Sequence, residues 1–386
     1  MKVLHICSDF SNRSLYNQLI THLSALHIEQ NVYVPTRTQE EIDKNKNFDL
    51  ENVNYQYSFL LNKLDRINYF GKIKKIERNL TSTIDIENCD LIHAHFLFSD
   101  GGVAYNLKKK NGIPYVVAIR NTDINIFFKY FFHLRSFGLN ILKNASKIIF
   151  LTPKYFEFTF QNYFPKNLQS DFVKKTNVVP NGVNPYWLDN SFKRKSFSKD
   201  DKITFLYVGD FSKNKNIHIS IQVLNTIYSK NNNIEFVLIG GGGDYDSQIR
   251  KLVVQNSNWI KILERTNSLV ALKEIYRQAD IFLMPSKYET FGLVYIEAMS
   301  QGIPVVYSSG QGIDGFFKDG EVGYSVSANN LEEYHNKIQL IIDNYDQISL
   351  NCTEKAKEFS WFDISIIYLK LYEQILNPIF QKKMFY

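Results

Sequence analysis

The chain has little of what marks a secreted, membrane-spanning or metal-built protein. Its 386 residues include three cysteines, Cys7, Cys89 and Cys352, set far apart and without metal-ligand spacing. That excludes a disulfide framework or zinc module and points to a reducing cytoplasm. No stretch approaches the ~18 uninterrupted apolar residues of a bilayer span. The amino terminus, Met1 to Asp9, turns polar too soon for a signal peptide and reads as a first buried strand. There is no internal repeat, no full dinucleotide fingerprint, and no nucleic-acid-binding motif beside the positive charge, so nucleic acid is not an expected partner. No Asp-x-Asp is read at a strand end, so no metal ligands are expected.

What is present is apolar material for two cores, with 44% hydrophobic residues in a length beyond one comfortable domain. Apolar runs alternate with helical patterns in both halves, which predicts parallel sheets built from βαβ units. Strands are expected at 3–6, 30–34, 91–94, 115–119 and 147–151, then at 203–208, 235–239, 260–263, 281–284 and 304–307. A polar, basic stretch near 191–201, with Lys193, Arg194, Lys195 and Lys199, places a boundary between domains 1–195 and 196–365. A helical pattern after Phe359 buries Trp361, Ile364, Tyr368 and Leu371.

The most informative string runs from Pro285 to Val306. Ile281-Phe282-Leu283-Met284 reads as a buried parallel strand, and Glu289 falls just beyond its end. Phe291, Gly292 and Leu293 open the next helix, whose free N–H groups and dipole favour a phosphate. Glu297 lies in the second turn of that helix. Either glutamate alone is more often a solvated surface residue. Together, with an aromatic and a glycine between them, they stand where open α/β sheets hold ligands.

This string resembles the Glu-x7-Glu signature of the family 4 glycosyltransferases. The resemblance implies an α/β GT-B fold, two Rossmann-like domains with parallel sheets facing a central cleft, and a C-terminal helix, 366–386, packing back toward the first domain. It implies retaining transfer from a nucleotide-diphosphate sugar, which serves as co-substrate in place of a cofactor, to a saccharide or lipid-linked acceptor, and the lack of a strand-end Asp-x-Asp favours a metal-independent reaction. Bacterial surface polysaccharide or glycolipid synthesis is the implied setting. Glu297 would hold ribose, the amides of Phe291, Gly292 and Leu293 the diphosphate, and Glu289 the transferred sugar. In Val208-Gly209-Asp210-Phe211-Ser212-Lys213-Asn214-Lys215, Lys215 matches the family's phosphate lysine. Asp210 stands where the family commonly has Arg, so either Lys213 supplies the missing charge or Asp210 points away.

The first half departs further from the family. His95, ending Leu91-Ile92-His93-Ala94-His95, lines the cleft in similar enzymes, although a lone His at a strand end is more often structural. Arg120 stands where the family's His-Gly-x-Asp has its His; it offers a fixed cation to phosphate or acceptor but no neutral base. Asp123 either binds a sugar hydroxyl or caps the next helix. Asn181 lies in Pro180-Asn181-Gly182-Val183, similar to the family's interdomain crossing. In the first loop Arg13 and Tyr16 are acceptor candidates, and Ser11 or Asn12 the helix cap.

Charge is unequal between the halves: 26 Lys and Arg against 17 Asp and Glu up to residue 195, and 19 against 22 after it. Basic clusters at Lys63 to Arg78 and Lys108 to Lys110, with an aromatic-basic run from Phe127 to Arg135, suit an anionic membrane surface on its cytoplasmic, inner face. Helical spacing assigns Phe127, Phe131, Leu134 and Phe137 to the core and leaves Phe128 and Phe132 as membrane contacts. A sugar-nucleotide 2-epimerase of the same fold, and an inactive glycosyltransferase-like binding subunit, are the alternatives.

Overall fold

The structure is a computed structural model that describes residues 1–193 and 201–383. It contains two compact units. The first comprises Met1–Leu151, Phe156–Gly182 and the segment from Trp361 on; the second comprises Thr152–Tyr155 and Val183–Ser360.

In the first unit seven parallel strands lie in the order β3-β2-β1-β4-β5-β6-β7: β1 Lys2–Ile6, β2 Glu29–Thr36, β3 Val53–Phe59, β4 Leu91–Ala94, β5 Tyr115–Ile119, β6 Lys147–Phe150 and β7 Thr176–Val178. In the second, six parallel strands lie in the order β10-β9-β8-β11-β12-β13: β8 Ile203–Gly209, β9 Ile234–Gly240, β10 Ile260–Leu263, β11 Ile281–Leu283, β12 Val305–Ser308 and β13 Gly323–Val326. Both orders reverse direction beside the unit's first strand, the doubly wound pattern that opens a crevice at the strands' carboxyl ends. Helices cover both faces, so the central strands are mostly apolar; β5 is buried at every position.

All ten strands expected from the sequence are present. The three additional ones lie at sheet edges, where burial is incomplete and the apolar signal weak. In β3 the half-buried Tyr55 and Tyr57 alternate with polar Asn54 and Gln56. β7 has only three residues, and β13 opens on a glycine.

The chain passes from the first unit to the second at Gly182 to Val183, not at 195. The cause is Trp187 in the short helix Pro185–Asp189, fully buried in the second unit's core with its ring 5.1 Å from Tyr276. Apolar anchoring therefore begins before the polar stretch, whose residues 194–200 (Arg194, Lys195 and Lys199 among them) lie outside the described residues. The return to the first unit comes at Trp361 rather than 366. Helix Trp361–Lys383 buries Trp361, Ile364, Tyr368, Leu371 and Tyr372 against Val3, Leu19, Leu23, Val116 and Val179.

Helical spacing misplaces one aromatic. Residues Asp123–Phe128 form a π-helical segment, whose wider turn shifts the phase of the residues it contains and of those after it. Phe128 consequently points into the core, fully buried, while Phe127, Phe131 and Phe137 are half-buried. Leu134 is buried as expected, and Phe132 remains on the surface.

Trp361 is the largest side chain anchoring the C-terminal helix, and a Cβ on Gly182 would lie only 2.4 Å from its indole. Trp361→Ala should cost ~3–5 kcal/mol of first-unit stability in urea denaturation. An unchanged midpoint would contradict this packing.

Candidate active site

The second unit builds its site where β8 and β11 lie side by side. At the end of β8, Gly209 pairs with Gly240 of β9, and a Cβ on Gly240 would lie 1.8 Å from the Gly209 carbonyl oxygen. Only glycine, here at φ 145°, permits that approach. Beyond it Phe211 is buried, its N–H donating to the Gly242 carbonyl at 2.8 Å. The chain then makes one 3-10 turn, Lys213–Lys215, and enters helix Ile217–Tyr228 through Asn216, a buried non-glycine residue at φ 60°. Such a backbone persists only where its surroundings fix it. Here the Asn216 amide donates to the Ala328 carbonyl at 2.6 Å.

Asn214 ties this loop to the one after β11. Its side-chain amide mimics a peptide group, donating to the Tyr288 carbonyl at 2.8 Å and accepting from the Tyr288 N–H at 3.1 Å. Its backbone carbonyl accepts from the Lys287 N–H at 2.8 Å. Glu289 is then fixed from its other side, its N–H donating to Gln311 Oε1 at 3.2 Å and its carbonyl accepting from the Gly312 N–H at 2.9 Å. The result is a short ion pair. Lys215 Nζ donates to Glu289 Oε2 at 2.7 Å, with both side chains largely buried.

Helix Leu293–Ser300 begins shortly after Glu289. Its N-cap is Gly292 at φ 79°, where a Cβ would come within 2.5 Å of the Tyr295 ring. The first N–H groups of the helix lack intrahelical acceptors and, with the dipole, favour an anion beside Lys215. Phe291 is an anchor rather than a contact surface, buried with its ring 5.9 Å from Phe316 and 5.6 Å from Phe359. Glu297 hydrogen-bonds not to Lys215 but to Tyr276, whose hydroxyl donates to Oε2 at 3.1 Å. Burial pushes the Glu297 carboxyl up to about 7, and the Tyr276 hydrogen bond pulls it back in part.

The sequence holds three signals of this site that its motifs passed over. Asn214 and Gln311 are polar residues in loops just past β8 and β12, the class of position that orients a site. Tyr276 sits on a helix with no motif around it. An Asp-x-Asp string also exists after β9, Asp244-Tyr245-Asp246, contrary to the expectation of none. Both carboxylates are engaged in local structure: Asp244 accepts from the Lys213 N–H at 2.9 Å, and Asp246 from the Gly242 N–H and the Arg250 guanidinium, each at 2.8 Å. Asp210 and Lys213 are both exposed.

The family model described as Glycosyl transferases group 1 matches residues 189–359, nearly the whole second unit. Among characterised and uncharacterised relatives, an uncharacterized glycosyltransferase of Methanocaldococcus jannaschii is 29% identical over 91% of this chain and 94% of its own length. The alpha-monoglucosyldiacylglycerol synthase of Acholeplasma laidlawii is 26% identical over 62% of this chain and 64% of its own. The Anabaena protein HepE, solved in complex with UDP, superposes with a TM-score of 0.69 at 16% identity, covering 99% of this chain and 100% of that one.

The chain is a glycosyltransferase of the GT-B fold, and its second unit resembles the group 1 family.

In the first unit of this glycosyltransferase the expected residues gather around Arg120, at the end of β5. Its guanidinium donates to the His95 carbonyl at 3.2 Å and to Asn181 Oδ1 at 3.3 Å, and lies 5.8 Å from the centre of the Tyr16 ring. Asp123 is neither a helix cap nor open to a sugar. Its buried carboxylate accepts from the backbone N–H groups of Arg120, Leu97 and Phe98 at 2.9 to 3.1 Å, clamping β5 to the loop after β4. Burial raises that carboxyl to about 6 against the pull of those three amides. In the first loop Arg13 pairs with Asp9 at 3.0 Å, Ser11 donates to the Glu41 carbonyl, and neither Ser11 nor Asn12 caps the helix Ser14–Ala25.

His95 is a buried structural residue rather than a wall of an open site. Its ring stacks on His93 at 4.1 Å and its Nε2 lies 3.1 Å from His5 Nδ1, while His93 Nδ1 lies 2.7 Å from the Tyr372 hydroxyl. Burial drives all three imidazoles toward the neutral form, with His5 at about 3. Each offers a nitrogen within 4.8 Å of the others, yet the Arg120 charge beside them opposes a cation.

The raised carboxyl of Glu297 makes a testable statement about stability. Its folded state holds a proton more tightly than its unfolded state, so between pH ~4.5 and ~7 this residue's contribution falls as pH rises. Glu297→Gln should therefore match the parent near pH 5 and gain on it by on the order of 1–3 kcal/mol at pH 8 in paired thermal melts. A difference independent of pH would place Glu297 in a solvated setting.

Proposed function

We propose that this glycosyltransferase moves a sugar from a nucleotide-diphosphate sugar to a saccharide or lipid-linked acceptor, with retention at the anomeric carbon and without a metal ion or further cofactor. The observation that carries the reading is the Lys215 to Glu289 ion pair beside the N-terminus of helix Leu293–Ser300. A diphosphate needs a cation and free amides; the sugar attached to it needs a carboxylate close by.

In this scheme the bond between the anomeric carbon and the diphosphate oxygen breaks first. Lys215 and the amides of Gly292 and Leu293 take up the negative charge growing on the leaving phosphate, and Glu289 steadies the positive charge on the sugar while binding its hydroxyls. The acceptor hydroxyl attacks from the same face and passes its proton to the departing phosphate, which leaves as a nucleoside diphosphate. Glu297, oriented by the buried Tyr276, holds the ribose, and Gly209 lets the backbone come close to the phosphates. Arg120 and Asn181 belong to the acceptor side. The Acholeplasma relative's name supports a lipid acceptor and the Anabaena complex supports a uridine nucleotide. Surface polysaccharide or glycolipid assembly on the inner face of a cell membrane fits both.

Purified protein offered a panel of sugar nucleotides, with and without acceptor extract, should release nucleoside diphosphate only when acceptor is present. Glu289→Ala should lower that turnover by ~10²-fold or more while leaving nucleotide affinity within a few-fold. Unchanged turnover would remove Glu289 from the mechanism. Epimerised donor without acceptor would favour the epimerase, and loss of activity in EDTA would overturn the metal-independent part.

A further inference from the structure

Outside the donor site, the first unit carries one surface whose composition its own fold does not use. The 3-10 turn Lys63–Arg66 and the start of helix Tyr69–Thr83 leave Leu64 72%, Ile67 85% and Phe70 51% exposed. Single exposed apolar residues are ordinary, but these three fall within seven residues of chain. They continue into the segment around helix Phe132–Asn144, where Phe70 meets Phe137 at 5.2 Å and Tyr69 meets Phe127 at 6.3 Å. There Tyr130 and Phe132 are also exposed, with Lys129 over the Tyr130 ring at 5.2 Å and Arg135 over the Phe132 ring at 4.3 Å.

The projecting turn is fixed rather than loose. Asn62 and Asp65 form a reciprocal capping box, with Asn62 Oδ1 accepting from the Asp65 N–H at 3.3 Å and Asp65 Oδ2 from the Asn62 N–H at 2.7 Å. Residues 60–83 hold six Lys and Arg against two Asp and Glu. Both acids are already committed, Asp65 to Lys75 and Glu77 to Lys110. Among the described residues none of the exposed Lys63, Arg66, Lys74 and Arg78 forms an ion pair. Lys74, Lys75 and Arg78, with Asn79 and Ser82, line an open cleft of about 550 Å³.

We infer that this face seats on an anionic lipid bilayer. Leu64 and Ile67 enter below the headgroups, Tyr130 and Phe132 lie at headgroup level, and Lys63, Arg66, Lys74 and Arg78 meet lipid phosphates. Apolar tips ringed by unpaired cations and no free acid match a surface of phosphates over hydrocarbon; a protein partner would call for a mixed-sign pattern. The inference deepens the lipid-linked acceptor reading, but it stands on binding measured without any donor.

The test is co-sedimentation of the full chain with phosphatidylcholine vesicles, with and without phosphatidylglycerol, at low and high salt. Binding should require phosphatidylglycerol and weaken with salt. The double variant Leu64→Asp with Ile67→Asp should bind at least ~10-fold less. Lys74→Gln and Arg78→Gln should each cost roughly five-fold. Lys230→Gln, in the second unit, should change nothing. Each variant is checked by its thermal melt and by turnover on a soluble acceptor, which should be intact; loss of vesicle binding alone separates this inference from the transfer scheme. Equal binding to neutral vesicles, or undiminished binding by the Leu64 and Ile67 double variant, would overturn it.

Discussion

The ion pair between Lys215 and Glu289 is the constraint around which the second unit's ligand end is arranged. It joins two loops that leave neighbouring parallel strands, and a lysine and a glutamate this far out of water are each costly unless partnered. The pair can form only if both loops are held in register. Asn214, standing in for a peptide group against Tyr288, supplies that register, and Gln311 with Gly312 fixes Glu289 from the β12 side. The close approach of Gly209 and Gly240 and the left-handed turn at Asn216 bracket the loop that carries Lys215.

Glu289 neutralises Lys215 in the structure. In the proposed scheme a diphosphate beside the helix N-terminus would offer the lysine a second anion, and Glu289 would then turn to the sugar without new charge having to be buried. Glu297 is handled separately, by burial and Tyr276, so its protonation obeys its own surroundings. The two carboxylates that share one sequence signature thus have different electrostatic settings.

Much of this was legible in the sequence because central parallel strands are mostly apolar runs and because strand, glycine and charged residue come in short order at the ligand end. What escaped has physical causes. The edge strands β3, β7 and β13 are half-covered or very short. Trp187 carries the second unit's core ahead of the polar stretch that looked like the boundary. The π-helical segment at Asp123–Phe128 turned Phe128 inward, where regular spacing had put it on the surface. His95 and Asp123 sit at strand ends that look like ligand positions, but the sheet buries one in a histidine stack and commits the other to three backbone amides. Asn214 and Gln311 bear no motif, since their task is to hold the backbone.

The most direct measurement is the affinity of a nucleoside diphosphate, chosen from a small panel for its binding to the parent protein, for Lys215→Ala by isothermal titration at constant ionic strength. The account predicts binding at least ~10-fold weaker, since a charge-assisted phosphate contact is worth roughly 1.5–3 kcal/mol. Affinity equal to the parent's would contradict it, leaving the ion pair a structural tie with no part in holding the donor.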